Sequence, residues 1–202
     1  MKKLFRTMLV PKAEELVATP YRFEGSTEKA RDFFEDGMLH TCQQIYQYAR
    51  EDIPVTIYYA YKQSDTDEDS KTASTGWETM LSAIIRAGFA ITGTWPMRTE
   101  MANRSIASGT NALASSIVLV CRPAEAPQTT RRGFIAELKR ELRPALQKLQ
   151  RSNIAPVDLA QSAIGPGMGV YSRYGRVLEA DGSAMTVRSA LQIINQELDV
   201  YF

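Results

Sequence analysis

The sequence predicts an α/β fold: a short sheet with an antiparallel last strand, followed by a small, mainly helical C-terminal region. Three observations carry that expectation. VTIYYAY, residues 55–61, is dense in β-branched and aromatic side chains. An amphipathic helical segment and a second β-rich segment, Phe89 to Pro96, follow it closely. A third apolar run lies between Ala114 and Cys121. Strand, helix and strand in such tight succession form a βαβ unit, whose crossover makes the two strands parallel. The polar, glycine-containing stretch from Arg98 to Asn111 then lets the third strand return antiparallel.

Residues 1–25 carry Pro11, Pro20 and Gly25 with little periodicity and read as an irregular lead-in. Ser26 offers an N-cap, with Glu28 in the first turn where the helix dipole favours an acid. Behind it Phe34, Met38, Cys42, Ile45 and Ala49 recur at helical spacing, predicting a helix from about Thr27 to Arg50. The nearly continuous apolar character of VTIYYAY predicts an interior strand covered on both faces. The acidic run Asp65, Asp67, Glu68 and Asp69 reads as a solvated loop, and it lacks the turn and closing Glu of a calcium loop. A helix beginning near Gly76 turns Trp77, Leu81, Ile84 and Ile85 to one side, and Gly88 supplies its left-handed stop.

Pro123 to Thr129 reads as a linker, dividing the chain into 1–123 and 124–202. Beyond it a helix from Arg131 to Ser152 turns Phe134, Leu138, Leu142, Ala145 and Leu149 inward, with Pro144 expected to kink it or to begin a second helix. Pro156 to Ile164 is a shorter helix, stopped by Gly165, Pro166 and Gly167. One or two short strands are expected between Val170 and Glu179, then a turn at Ala180-Asp181-Gly182. Thr186 caps a last helix carrying Val187, Leu191, Ile194 and Leu198 inward.

With 202 residues, 44% of them hydrophobic, the chain suits one large domain or a domain with an appendage. Its net charge of +1 announces neither nucleic acid nor membrane, so any such partner must be read from local patches. No stretch approaches membrane-spanning length, and MKKLFRTMLVPKAEE makes a poor signal peptide. Cys42 and Cys121 sit among apolar neighbours and read as buried thiols in a reducing, cytoplasmic compartment, with a disulfide as the other reading. Together with His40 they compose no zinc site.

The line from Trp77 through Pro123, WETMLSAIIRAGFAITGTWPMRTEMANRSIASGTNALASSIVLVCRP, resembles a family of adenine-specific DNA methyltransferases whose large members also carry a zinc-ribbon-like insertion. The likeness extends to PKAEELVATPYR, FFEDGM, FIAELKREL, NIAPVDLAQSAIGPGM and RVLEADGSAMTVRSAL, and so covers nearly the whole chain. The resemblance implies part of a Rossmann-like sheet: VTIYYAY as the fifth strand, Gly76 to Ala87 as its crossover helix, and the next two strands as the sixth and the inserted seventh. It also implies DNA as a partner and S-adenosylmethionine as the donor of the complete enzyme. The glycine-rich turn that cradles the donor and the Asn/Asp-Pro-Pro-Tyr/Phe catalytic loop have no counterpart here. The expectation is therefore a C-terminal fragment or subunit with no catalytic residue, no cofactor of its own and no activity alone, completed by a polypeptide supplying the N-terminal half. The alternative is a non-catalytic interaction or DNA-binding module that uses the exposed edge of VTIYYAY to dock a partner or to self-associate.

Two sets of candidate residues follow. Trp95, Arg98 and Glu100 end a strand on a sheet edge, where open α/β proteins put ligands, with Trp95 and Arg98 near the substrate base or backbone and Glu100 orienting a loop. The structural alternative is a Trp-Pro corner with Arg98 and Glu100 ion-paired. Arg131, Arg132, Lys139, Arg140 and Arg143, extended by Lys148 and Arg151, face only Glu137 and Glu141 along one helix and suit a DNA backbone, or else a solvated face. The glycines near Pro166 suit either a phosphate-binding loop or a turn. Tyr171, Arg173 and Tyr174 suit stacking on bases or core packing. No metal site is expected.

Overall fold

The computed structural model describes residues 15–59, 67–98, 115–124, 127–151 and 156–201. Expectations for Asp65, Glu100, the loop to Asn111 and the first fourteen residues lie outside this set. The fold is mixed α/β, with five α-helices, a three-stranded sheet and a two-stranded one among the described residues. A short 3-10 helix, Pro20–Phe23, precedes α1 (Thr27–Tyr48), whose Ser26 hydroxyl accepts the Lys29 backbone N–H at 3.2 Å as an N-cap. Then come β1 (Val55–Tyr59), α2 (Asp67–Arg86), β2 (Phe89–Arg98) and β3 (Ser115–Pro123). The second half holds β4 (Gln128–Thr130), α3 (Arg131–Arg151), α4 (Pro156–Ser172), β5 (Arg176–Leu178) and α5 (Val187–Tyr201).

The main sheet has the order β1-β3-β2, and β3 runs antiparallel to both neighbours. β1 and β2 therefore point the same way, as a βαβ crossover requires, but β3 is inserted between them. One sheet face buries Ile91, Ile117, Leu119 and Cys121, all at most 3% exposed. Against it pack α1, α2 and α4, and the same core runs on through Phe134, Leu138 and Leu142 of α3 to Ile194 and Leu198 of α5. Residues 1–123 and 124–202 thus contribute to one continuous core. Both cysteines are buried free thiols within it.

Several local expectations are corrected. β1 is not covered on both faces: Val55, Ile57 and Tyr59 turn toward the helices, while Thr56 and Tyr58 are exposed, because an edge strand of a sheet with helices on one side alternates. α2 starts at Asp67, not near Gly76, so Asp67, Glu68 and Asp69 belong to its first turn and not to a loop. Its stop is as expected, with Gly88 at φ 103°. In α1 only Ala30 and Cys42 are fully buried, and Ile45 is 36% exposed, so its apolar stripe is covered only in part.

Pro144 neither divides nor ends α3. Phe134, Leu138, Leu142 and Leu146 recur every four residues along one buried line that spans the proline, and that burial outweighs the lost hydrogen bond. Ala145 and Leu149 flank this line half-buried and do not lead it. The Gly165-Pro166-Gly167 stretch does not stop α4 either. Gly165 and Gly169 lie on the side of α4 that meets β2, and Gly167 on the side that meets α5: a Cβ on Gly165 would overlap Thr94, and one on Gly167 would come within 2.7 Å of Ile194. These glycines set how closely the helix approaches its neighbours. Gln128 and Thr129, expected at the end of a linker, form β4 with Thr130, and this strand pairs in parallel with β5. Val170 to Ser172 belong to α4, leaving β5 as the one strand of that region. The expected turn follows, with Gly182 at φ 82° and the Asp181 carboxylate accepting from both Ser183 donors, and Thr186 caps α5 through the Ser189 N–H at 3.1 Å.

Candidate functional site: an aromatic strand end beside a basic helix

β2 places Trp95 near its C-terminal end, on the sheet face opposite the helices. Residues paired across strands share a face, so Tyr58, Val118 and Trp95 form one row across the sheet, with Thr56, Val120 and Gly93 as the next. Tyr58 is 60% and Trp95 65% exposed, whereas Val118 between them is 6% exposed. Two accessible aromatic rings thus flank a shielded aliphatic centre, two strand spacings or roughly 10 Å apart. Met97 extends this face beside Ser116. Arg98 is the last residue of β2, paired with Ser115. Trp95 and Arg98 therefore end the same strand as expected, and Glu100 lies outside the described residues.

A groove of about 610 Å³ runs along β2 from Ala90 to Trp95. Its opposite wall comes from Ala145, Lys148 and Leu149 of α3 and from Gly165, Pro166 and Gly169 of α4. Glycine at 165 and 169 brings α4 close to the strand, and the Ser172 hydroxyl accepts the Ile91 backbone N–H at 2.8 Å. The glycines expected in a loop or turn thus act as close-packing residues of a helix. At the rim Arg173 grips Glu141 through two hydrogen bonds of 2.8 and 2.5 Å. That contact, with help from Arg140, holds the Glu141 carboxyl below the ordinary carboxylate range and raises Arg173.

The basic face of α3 divides into two groups. Arg131 pairs with Glu179 at 3.0 Å, Lys139 with Glu197 at 3.4 Å, and Arg140 with Glu137 at 2.8 Å. Arg132 and Arg143 are exposed and have no carboxylate partner among the described residues. Of the five cations expected on a nucleic-acid face, these two keep their whole charge available. Exposed pairs such as the other three contribute at most about 1 kcal/mol each to stability.

Of the aromatic candidates, Tyr171 belongs to the core. Its ring meets Phe134 edge-on at 5.6 Å, its hydroxyl donates to the Met185 carbonyl at 2.7 Å, and burial pushes its pKa up to about 12. The Tyr174 hydroxyl donates to Glu137. Sequence reasoning named Trp95, Lys148, Gly165, Pro166 and Arg173 separately but not the groove that brings them together. Glu141 and Arg173 are 32 positions apart, and no local pattern links them.

Among the described residues no three His, Cys, Asp or Glu side chains gather as a metal site, and no helix is long and apolar enough to cross a membrane. No protein-family model, no curated protein and no solved structure matches this chain.

Proposed function

We propose that this chain is the C-terminal portion of an S-adenosylmethionine-dependent, adenine-specific DNA methyltransferase, inactive alone and completed by a polypeptide that brings the donor-binding turn and the catalytic loop. The observation that carries this reading is the strand order: two parallel strands joined by a helix, with the next strand inserted antiparallel between them. That is the arrangement the resemblance implies for the fifth, sixth and seventh strands of a Rossmann-like methyltransferase sheet. The outer edge of β1, where a fourth strand would pair, has no partner strand among the described residues. Tyr48, Ile53 and Tyr58 are 83%, 54% and 60% exposed in and beside β1, an apolar display that favours a covering partner.

The described residues do not suit the donor. The left-handed glycines are Gly25, Gly88 and Gly182, and none lies in a glycine-rich turn leading from a strand of the main sheet into a helix. Residues 60–66, between β1 and α2, contain no glycine. The partner therefore holds S-adenosylmethionine and the flipped adenine. This chain contributes Trp95 and the β2 groove beside the substrate and the unpaired Arg132 and Arg143 toward phosphates. Two buried free thiols fit a reducing, cytoplasmic setting.

Co-expression with the polypeptide encoded next to it, followed by transfer of labelled methyl groups to duplex DNA, tests the proposal. The chain alone transfers nothing, and the complex labels adenine. In that complex Trp95→Ala and the pair Arg132→Gln/Arg143→Gln lower DNA affinity without unfolding the chain. A co-purifying complex that labels no base favours the second reading, a non-catalytic module docking through the β1 edge.

A further inference from the structure

We propose that the polar pocket between α1, α2 and α5 binds a phosphate group. The pocket, about 220 Å³, lies on the far side of α2 from its buried Leu81 and Ile84 face. Glu78, Ser82 and Arg86 line it from α2 at the four-residue spacing that stacks side chains on one helix face. Arg31 and Glu35 enter from α1, and Arg188 from the first turn of α5. Three guanidinium groups from three helices thus meet the carboxylates of Glu35 and Glu78, with Asp32 beside Arg31 as a third.

Donors exceed acceptors there. Arg188 gives its Nε to Glu78 at 2.9 Å, and its two Nη groups have no partner among the described residues. Arg31 stands 3.8 Å from Glu35 and 3.6 Å from Asp32, close enough for attraction but beyond hydrogen-bond reach. Arg86 is exposed with no carboxylate partner among the described residues, and the Ser82 hydroxyl is likewise unengaged. Glu35 already accepts from the Thr79 hydroxyl at 3.3 Å. Each guanidinium carries five N–H donors, so the pocket offers a surplus of N–H and O–H groups. Guanidinium donors arriving from three helices suit a tetrahedral oxyanion. A free phosphate or phosphomonoester and the phosphodiester of a nucleic acid share this chemistry. The inference does not depend on the methyltransferase reading.

Titration of the full chain with inorganic phosphate, followed by calorimetry and by amide chemical shifts, tests it. One phosphate binds per chain and shifts the amides around Ser82 and Arg86, while chloride at equal ionic strength does not. Arg86→Gln and Arg188→Gln each weaken binding about tenfold, the scale of one charge-assisted hydrogen bond, and Arg176→Gln, on β5 away from the pocket, leaves it unchanged. Arg86 makes no ion pair among the described residues, so Arg86→Gln keeps the fold and the readout stays clean. Displacement of phosphate by a short DNA duplex assigns the site to a nucleic-acid backbone, and its retention assigns it to a small phosphate. No binding, a response equal to that of chloride, or an Arg86→Gln affinity equal to that of the parent chain overturns the proposal.

Discussion

Gly165→Ala should destabilise the protein, although an ordinary helix position would predict the opposite. Removing a glycine from a helix interior gains about 1 kcal/mol from propensity alone. Here the added methyl would overlap the Thr94 hydroxyl and lie 2.5 Å from its Cβ and Cγ2. Thr94 belongs to β2, locked against β3 by its pairing with Leu119, and α4 is tied to the same strand through Ser172 and Ile91. Neither side can retreat freely, so the overpacking cost of about 1 to 3 kcal/mol applies. The balance is a net loss of up to about 2 kcal/mol, read as a lower urea midpoint in equilibrium unfolding. The cause is specific to one pair. Thr94→Gly removes every side-chain atom that would clash, so the double substitution Thr94→Gly/Gly165→Ala should be more stable than the sum of its parts by about 1 kcal/mol or more. A Gly165→Ala chain as stable as the parent, or additive behaviour in the double variant, would refute the claim that glycine at 165 sets the α4–β2 distance.

Three further outcomes are expected. Phe134 is fully buried at the junction of α3 and α4, so Phe134→Ala should cost about 3 to 5 kcal/mol in urea unfolding; a loss below about 1 kcal/mol would place it outside the core. Glu141 titrates below its ordinary value of 4.5 because Arg173 and Arg140 hold its charged form, so its stabilising contribution is full above that value and is lost as pH falls through the lowered folded value. The stability gap between the parent and Glu141→Gln should therefore shrink under acid, and a gap that stays constant with pH contradicts the pairing. Burial pushes the Cys121 thiol up to about 12 and also raises Cys42, so a thiol-exchange reagent at roughly pH 8 should leave both unmodified until denaturant is added. Rapid modification of the native chain would show that one of them is accessible.

What the sequence made legible was local. Ser26 and Thr186 cap helices through their own side chains, Gly88 and Gly182 adopt the left-handed conformation that their turns need, and SSIVLVC has the apolar continuity of a central strand. Each signal lies within a few residues of the structure it dictates. The misreadings share the opposite property. Gly165, Pro166 and Gly167 look like breakers because breaking helices is their usual effect, yet here the space left by Thr94 and Ile194 decides. Pro144 is tolerated because buried residues on both sides of it hold α3 in place. β4 and β5, three residues each, exist only as a parallel pair 48 positions apart, and neither announces itself alone. The candidate site follows the same rule. Trp95 was legible from its place at a strand end, but the wall opposite, from α3 and α4, exists only after tertiary packing. Likewise, seven cations along α3 read as one basic face, and only the fold reveals that Arg131 and Lys139 are held by Glu179 and Glu197, which lie far along the chain.

The central claim is that these strands complete a sheet begun elsewhere. It is tested most directly by reading, in all frames, the coding DNA immediately upstream of the Met1 codon. The account predicts a reading frame there with a glycine-rich turn after its first strand and an Asn/Asp-Pro-Pro-Tyr/Phe loop, ending in a strand able to pair with the outer edge of β1. Unrelated sequence in every frame would contradict the methyltransferase reading and favour a detached interaction module.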